Sequence, residues 1–246
     1  MACPFRLILT LAFFSATFVV QAMDVTNLTV VAWNVENLFD AVANQPEKAD
    51  EEFTPTSWRR WTPERYSKKL QNLAWVIDKM KPDVLCMAEV ENKGVVQALV
   101  DTLKKNYGWT LPYIAHADTP DPRGIDMAII SRYPIQSFRY VPHGLRRGML
   151  VATIEVDGST LTLIQNHLKS QMGDRDENIT IRTSEALALR NEALGILRKK
   201  PNTSLVITGD FNEDIDGPCI TQALKALPKR EVVQNTSGDQ MAFYNL

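Results

Sequence analysis

The sequence predicts a mixed α/β domain. Short β-branched apolar runs recur along the chain, stretches with helical apolar spacing separate some of them, and a hairpin turn joins two others. Strands joined partly by hairpins and partly through helices exclude an all-parallel sheet. The chain has 246 residues, 45% hydrophobic and 23% charged, which is ordinary for a globular protein. At roughly 100–200 residues per domain that is one large domain or two small ones. The 11 Gly and 13 Pro are dispersed, and there are only three Cys; collagen-like, low-complexity and disulfide-rich readings are therefore excluded. With 27 basic and 29 acidic side chains the net charge is -2. No basic excess advertises nucleic acid, so any phosphate binding has to come from local geometry.

Residues 1–22 have a lone Arg6, an apolar run from Leu7 to Val20 and a small residue, Ala22. That is the layout of a secretory signal peptide. The run falls short of the ~20 residues that cross a bilayer. A secreted or periplasmic protein is expected, with residues 23–246 forming the domain. Leu28–Trp33 has the composition of a buried strand. Residues 40–61 form a long irregular excursion, acidic at Glu47–Glu52 and basic-aromatic at Trp58-Arg-Arg-Trp61. A helix is expected from Thr62-Pro63, with Thr as cap and Pro at the first helical position. Its apolar stripe is Tyr66, Leu70, Leu73, Ile77 and Met80. Lys81-Pro82 stops it.

Asp83–Ala88 reads as a second buried strand, in which Cys86 behaves as a small hydrophobe, and Gly94–Lys105 as a second helix. Cys86 and Cys219 are not implied to pair. Met127–Ile130, Met149–Ile154 and Thr160–Gln165 read as strands, with Asp157-Gly158 as a hairpin turn. A long helix covers about Ile181–Lys199, with Leu187, Leu194 and Leu197 among its buried candidates. Leu205–Thr208 is a further strand and Pro218–Leu227 a short helix.

Polar residues gather where these strands end. The clusters are Asn34-Val-Glu36-Asn37, Glu89-Val-Glu91-Asn92, Arg123-Gly-Ile-Asp126, Asn166-His167-Leu-Lys169-Ser170 and Gly209-Asp210-Phe-Asn212-Glu213. Ligand sites in α/β sheets form beyond strand ends, where loops converge on rigid supports. Carboxylates and carboxamides supply hard oxygens that suit Mg²⁺. His and Asp supply acid and base groups, and Asn, Lys and Arg hold phosphate oxygens. Together they suggest metal-assisted attack of water on a phosphate ester. Any one cluster also reads as plain turn chemistry; five at five strand ends carry more weight. Glu91 reads as a solvated neighbour of Glu89, and His116 and His143 as surface residues in Pro-containing loops. Trp58–Trp61 and Arg146-Arg147 read as either a path for a polynucleotide backbone or ordinary solvated loops.

In this order the segments WNVENLF, AEVEN, RGIDMAII, NHLKS and GDFN resemble the motifs of the endonuclease/exonuclease/phosphatase superfamily, also called deoxyribonuclease-I-like, over about residues 28–215. The excursion closed by Phe53-Thr-Pro and Arg65-Tyr66 is similar to that of secreted bacterial members. The resemblance implies a four-layer α/β sandwich of two packed mixed sheets flanked by helices. It also implies Glu89 as principal metal ligand, with Asn34 and Glu36 beside it, and Mg²⁺ as cofactor with Mn²⁺ or Ca²⁺ as substitutes. His167, Asp210 and Asn212 are implied as catalytic residues. His167 would contact the scissile phosphate and stabilise or protonate the transition state, Asp210 would activate water, and Asn212 would hold a phosphate oxygen. Arg123 and Asn166 would add phosphate contacts, Asp126 would support the site, and Lys169 and Ser170 would stand behind it.

The family normally finishes with a further strand pair and a Ser-Asp-His-type motif. No His follows His167, so the domain is expected to lack its final strands. The resulting expectation is a metal-dependent phosphoesterase, a nuclease first. The partners implied are DNA or another phosphodiester substrate, with no stable membrane span after signal cleavage and a monomeric state. The alternatives are a catalytically impaired truncated member, an enzyme acting on lipid or inositol phosphates, or a non-enzymatic secreted scaffold.

Overall fold

The computed structural model describes residues 28–45, 48–142, 146–201 and 203–245. The expected signal segment, residues 1–22, and His143 lie outside the described residues. Among those described, no helix is long and apolar enough to cross a membrane.

Two four-stranded sheets pack face to face. The first contains β1 (Val30–Leu38), β2 (Val84–Val90), β3 (Tyr113–Ala117) and β4 (Asp126–Ser131), in the order β1-β2-β4-β3. The second contains β5 (Ile135–Val141), β6 (Met149–Val156), β7 (Ser159–His167) and β8 (Ser204–Asp210), in sequential order. β1 runs parallel to β2 and β7 parallel to β8, while the remaining pairs in both sheets are antiparallel. β1 lies over β8 and β3 over β5.

Strand alternation builds four layers. On β2, Val84 and Cys86 face the other sheet, meeting Leu150, Ala152 and Leu163. Leu85 and Met87 face outward onto α1 (Pro63–Met80) and α2 (Lys93–Tyr107). On the second sheet Val151, Ile164, Leu205 and Ile207 face α3 (Arg175–Lys199) and a π-helical turn at Cys219–Leu224. The expected sandwich is present, and both Cys86 and Cys219 are buried free thiols.

The ends of α1 follow their sequence signals, whereas α3 begins at Arg175 behind an Asp174 cap and not at the expected Ile181. The Thr62 hydroxyl accepts from the Arg65 N–H, Pro63 opens α1, and Lys81 closes it in the left-handed region at φ 47°. Leu70, Leu73 and Ile77 are buried, with Tyr66 and Met80 packed against them. Asp157 (φ 47°) and Gly158 (φ 80°) make the β6–β7 turn, as a two-residue type I′ hairpin requires.

Several expectations change. β3 and β5 are additional strands. β5 is an edge strand with Gln136, Ser137, Phe138 and Arg139 all exposed, so it carries no alternating pattern to read. His116 is not in a surface loop. It lies on β3 with Nε2 3.1 Å from Asp126 Oδ2, because antiparallel pairing brings β3 beside the start of β4. Leu187 is 45% exposed, since the buried stripe of α3 runs through Ala186, Leu189 and Ala193. The expected helix at Pro218–Leu227 is instead the π-helical turn followed by β9 (Ala226–Leu227). After a short α4 (Arg230–Gln234), β10 (Phe243–Tyr244) pairs with β9 in parallel.

The excursion between β1 and α1 is ordered around aromatic and carboxylate anchors. Phe39 stacks on Phe53 with ring centroids 4.0 Å apart, and Trp61 meets Phe53 edge-on. Asp50 accepts from the N–H groups of Asn44 and Gln45. Glu91 accepts from the Asp40 N–H at 2.8 Å and is 1% exposed, so it is a buried anchor and not a solvated neighbour of Glu89. Burial, with Asp40 and Asp50 nearby, pushes its carboxyl from an ordinary 4.5 up to about 7.

The folded state therefore holds a proton there that the unfolded chain has released. Glu91 adds stability that is full below pH 4.5 and is lost as pH rises through about 7. Glu91→Gln is expected to gain on the wild type between pH 5 and pH 8, by roughly 3 kcal/mol at the upper end. Urea unfolding at both pH values checks this; a constant difference between the two proteins contradicts it.

Candidate active site

The carboxyl ends of β1, β2, β7 and β8 meet at one end of the sandwich, and the local backbone re-aims their side chains. Register shifts interrupt β1 between Asn34 and Leu38 and β2 between Ala88 and Val90. Glu36, Asn37, Glu89 and Asn212 all have positive φ, at 56°, 61°, 65° and 48°. Non-glycine residues rarely adopt that region, and strain of this kind concentrates at functional sites. The bulge leaves Glu89 between two paired residues, so it leaves the strand's alternation and turns to the strand end. At Gly209 (φ 135°) a Cβ would lie 2.0 Å from the Asn166 carbonyl oxygen. Only glycine lets β7 and β8 approach this closely, which sets His167 opposite Asp210.

The amide of Asn34 joins the two key carboxylates. Its Nδ2 donates to Glu89 Oε1 at 3.0 Å and to Asp210 Oδ2 at 2.8 Å. His167 Nε2 lies 3.8 Å from Glu89 Oε1 and 3.9 Å from Asp210 Oδ2. The Asn212 N–H donates to Asp210 Oδ1, and Asn212 Nδ2 to the Leu168 carbonyl. Burial pushes His167 well below its usual range, with the Arg147 and Arg123 cations adding to the effect. Both effects disfavour the imidazolium form.

The other expected residues are placed less centrally. Glu36 is exposed, with its N–H donating to Asn34 Oδ1. Arg123 sits on the rim, its Nη2 3.4 Å from Asn37 Oδ1 and 3.8 Å from Glu52. Asp126 is buried against Thr119, His116 and Lys48, supporting the wall that carries Arg123. Asn166 is not brought to the centre: it is fully buried, and Nδ2 donates to the Thr208 carbonyl. Behind the centre, Glu185 accepts from the Lys169 N–H, and Lys169 Nζ donates to the carbonyls of Ser170 and Met172.

Among the described residues, no three His, Cys, Asp or Glu side chains form a metal cage. Glu89 and Asp210, bridged by a carboxamide, are instead a sparse oxygen set. That fits Mg²⁺, which takes one or two carboxylates and keeps several waters. It does not fit a closed zinc site.

Two groups escaped the sequence reading. Lys69, on α1, donates from Nζ to the Glu36 carbonyl and lies close enough to feel Glu36 and Glu89. No motif marks it. Arg147, half of an expected basic patch, is 7% exposed. Both Arg146 Nε and Arg147 Nε lie 3.0 Å from the fully buried Asp121 Oδ2, and Arg147 Nη1 donates to the Leu168 carbonyl. Arg147 and Asp121 form a buried ion pair beside His167, which the exposed Arg146 closes from the solvent side. Arg147→Met leaves Asp121 with the part-exposed Arg146 and the Arg123 N–H, and loss of the buried ion partner costs about 3 kcal/mol. A fall in Tm of about 6–12 °C is expected; an unshifted melting curve contradicts the role given to the cluster.

Residues 29–245 match the model of the endonuclease/exonuclease/phosphatase family. The chain belongs to that family. No curated protein matches it in sequence, while solved structures match in fold. Truncated TDP2 from Caenorhabditis elegans aligns with TM-score 0.53 at 16% identity, over 76% of this chain and 63% of its own. The beta hairpin deletion mutant of beta toxin from Staphylococcus aureus gives 0.55 at 16%, over 89% and 85%. Sphingomyelinase C from Streptomyces griseocarneus gives 0.52 at 14%, over 65% and 64%. The chain spans about half to two thirds of the TDP2 chains it matches. Members of this family typically depend on a divalent metal, and its fold is the α/β sandwich described above.

Proposed function

We propose that this protein is an exported, Mg²⁺-dependent phosphoesterase that hydrolyses phosphodiester bonds in nucleic acid. One observation carries the reading: Asn34 ties Glu89 to Asp210 across two sheets, with His167 within 4 Å of both. A metal ion at Glu89 would supply charge neutralisation at the phosphate. Asp210, oriented by Asn34 Nδ2 and the Asn212 N–H, accepts the proton of the attacking water. His167 donates a hydrogen bond to a phosphate oxygen, and Asn212 and Arg123 hold others. Export rests on residues 1–22.

Substrate is tested with Mg²⁺ on plasmid DNA and on sphingomyelin vesicles in parallel. Cleavage of DNA alone is the expected result; turnover of neither overturns the reading. The sphingomyelin arm has its own motive. Trp58, Met172 and Ile215 are 76%, 82% and 59% exposed, all on loops leaving the same end of the sandwich. If DNA is the substrate, Arg60 is the better-placed cation of the excursion. Arg59 is held by Glu52 at 2.8 Å and lies over Phe53 and Trp58. Arg60→Ala should lower the slope of log K against log salt by about 1; an unchanged slope removes Arg60 from the binding surface.

A further inference from the structure

A groove of about 390 Å³ opens beside the catalytic loop, between the start of α3 and the residues that follow Asn212. Glu213 and Asp214 form one wall. Gln171, whose Nε2 donates to the Asn212 carbonyl at 3.1 Å, forms the end nearest the reacting centre. Asn178, 3% exposed, holds the shape by donating to the carbonyls of Gln171 and Met172. Gly217 is part of the design: a Cβ there would lie 2.5 Å from Glu213.

The chemistry of the groove selects its occupant. Arg182 is buried and matched by Glu213 at 3.3 Å, which leaves exposed Arg175 against exposed Asp214. The groove has no net positive charge, so it is not a second phosphate site. Among the described residues no aromatic side chain lines it, so it offers a quaternary ammonium no cage. What remains is a mixture of amide, guanidinium and carboxylate groups with Ile179 and Pro218 as an apolar wall. Such a surface suits a neutral, flat group with donors and acceptors on its edge.

We propose that this groove binds the nucleoside next to the scissile phosphate. The assignment rests on the phosphodiesterase reading above and deepens it: base contacts here, one residue beyond Asn212, set preference for nucleotide over other diesters.

The test uses the full chain as wild type, Arg175→Ala and Ile179→Trp, the last filling the groove. Two readouts are compared. One is the ratio of kcat/KM on dinucleoside monophosphates to that on bis(p-nitrophenyl) phosphate. The other is the Kd for a dinucleoside monophosphate by equilibrium dialysis. In each variant the ratio is expected to fall, and the Kd to rise, about tenfold. Ratios and Kd values within about twofold of wild type in both variants overturn the assignment. If wild type turns over neither substrate, the hydrolase reading fails separately and dialysis decides the groove: weakened binding in the variants sustains it, and unchanged or absent binding overturns it. Should Ile179→Trp lose its folded circular dichroism, Arg175→Ala, at an exposed position, carries the decision.

Discussion

Replacing Asp210 by Asn is expected to lower kcat on a phosphodiester about a thousandfold, within the 10²–10⁴ that a positioned general base contributes. Asp210 accepts from Asn34 Nδ2 through Oδ2 and from the Asn212 N–H through Oδ1. Both contacts fix the carboxylate and leave it no role in packing. Asn keeps the shape and cannot take a proton from water; its one carbonyl oxygen keeps either the Asn34 or the Asn212 donor, and its NH₂ faces the other. The loss should fall on kcat while the fold survives. Kinetics on purified protein, with circular dichroism as control, check it; less than about a tenfold loss removes Asp210 from the base role.

Glu89→Gln is expected to raise the Mg²⁺ concentration for half-maximal activity by about a hundredfold or more. Loss of groups that merely orient a ligand already costs 10–100-fold. Gln has the same shape at the same φ of 65°, so backbone strain is unchanged and the comparison isolates charge. In chelator, the effect on stability should run the other way. Glu89 and Asp210 share one Asn34 amide, and removing one of two facing carboxylates relieves repulsion. The variant should therefore melt no lower than wild type without metal, while losing the Tm rise that Mg²⁺ gives by mass action. A Mg²⁺ response equal to that of wild type places the metal elsewhere.

The layers were legible in the sequence because most of the buried strands are short apolar runs and α1 carries its own cap, Thr62. The runs ending at Glu89, His167 and Asp210 gave the location of the centre for the same reason: polar residues begin where the sheet stops burying side chains. What escaped notice depends on partners distant in sequence. Glu91 looks like a surface carboxylate until the excursion folds back and Asp40 donates to it. Arg147 looks solvated until Asp121 meets it from the β3–β4 loop. Lys69 lies on the polar flank of α1 and reaches the site only because β1 bends at Glu36. Asn166 shows the converse. It adjoins His167 in a polar motif, yet its side chain donates into the sheet, to the Thr208 carbonyl of β8.

Metal-dependent phosphodiester hydrolysis at the Glu89–Asn34–Asp210 bridge is tested most directly by turnover of bis(p-nitrophenyl) phosphate after chelation. The expected result is no turnover in chelator, recovery with added Mg²⁺, and no recovery in Asp210→Asn. Turnover that persists in chelator, or recovery in Asp210→Asn equal to that of wild type, contradicts it.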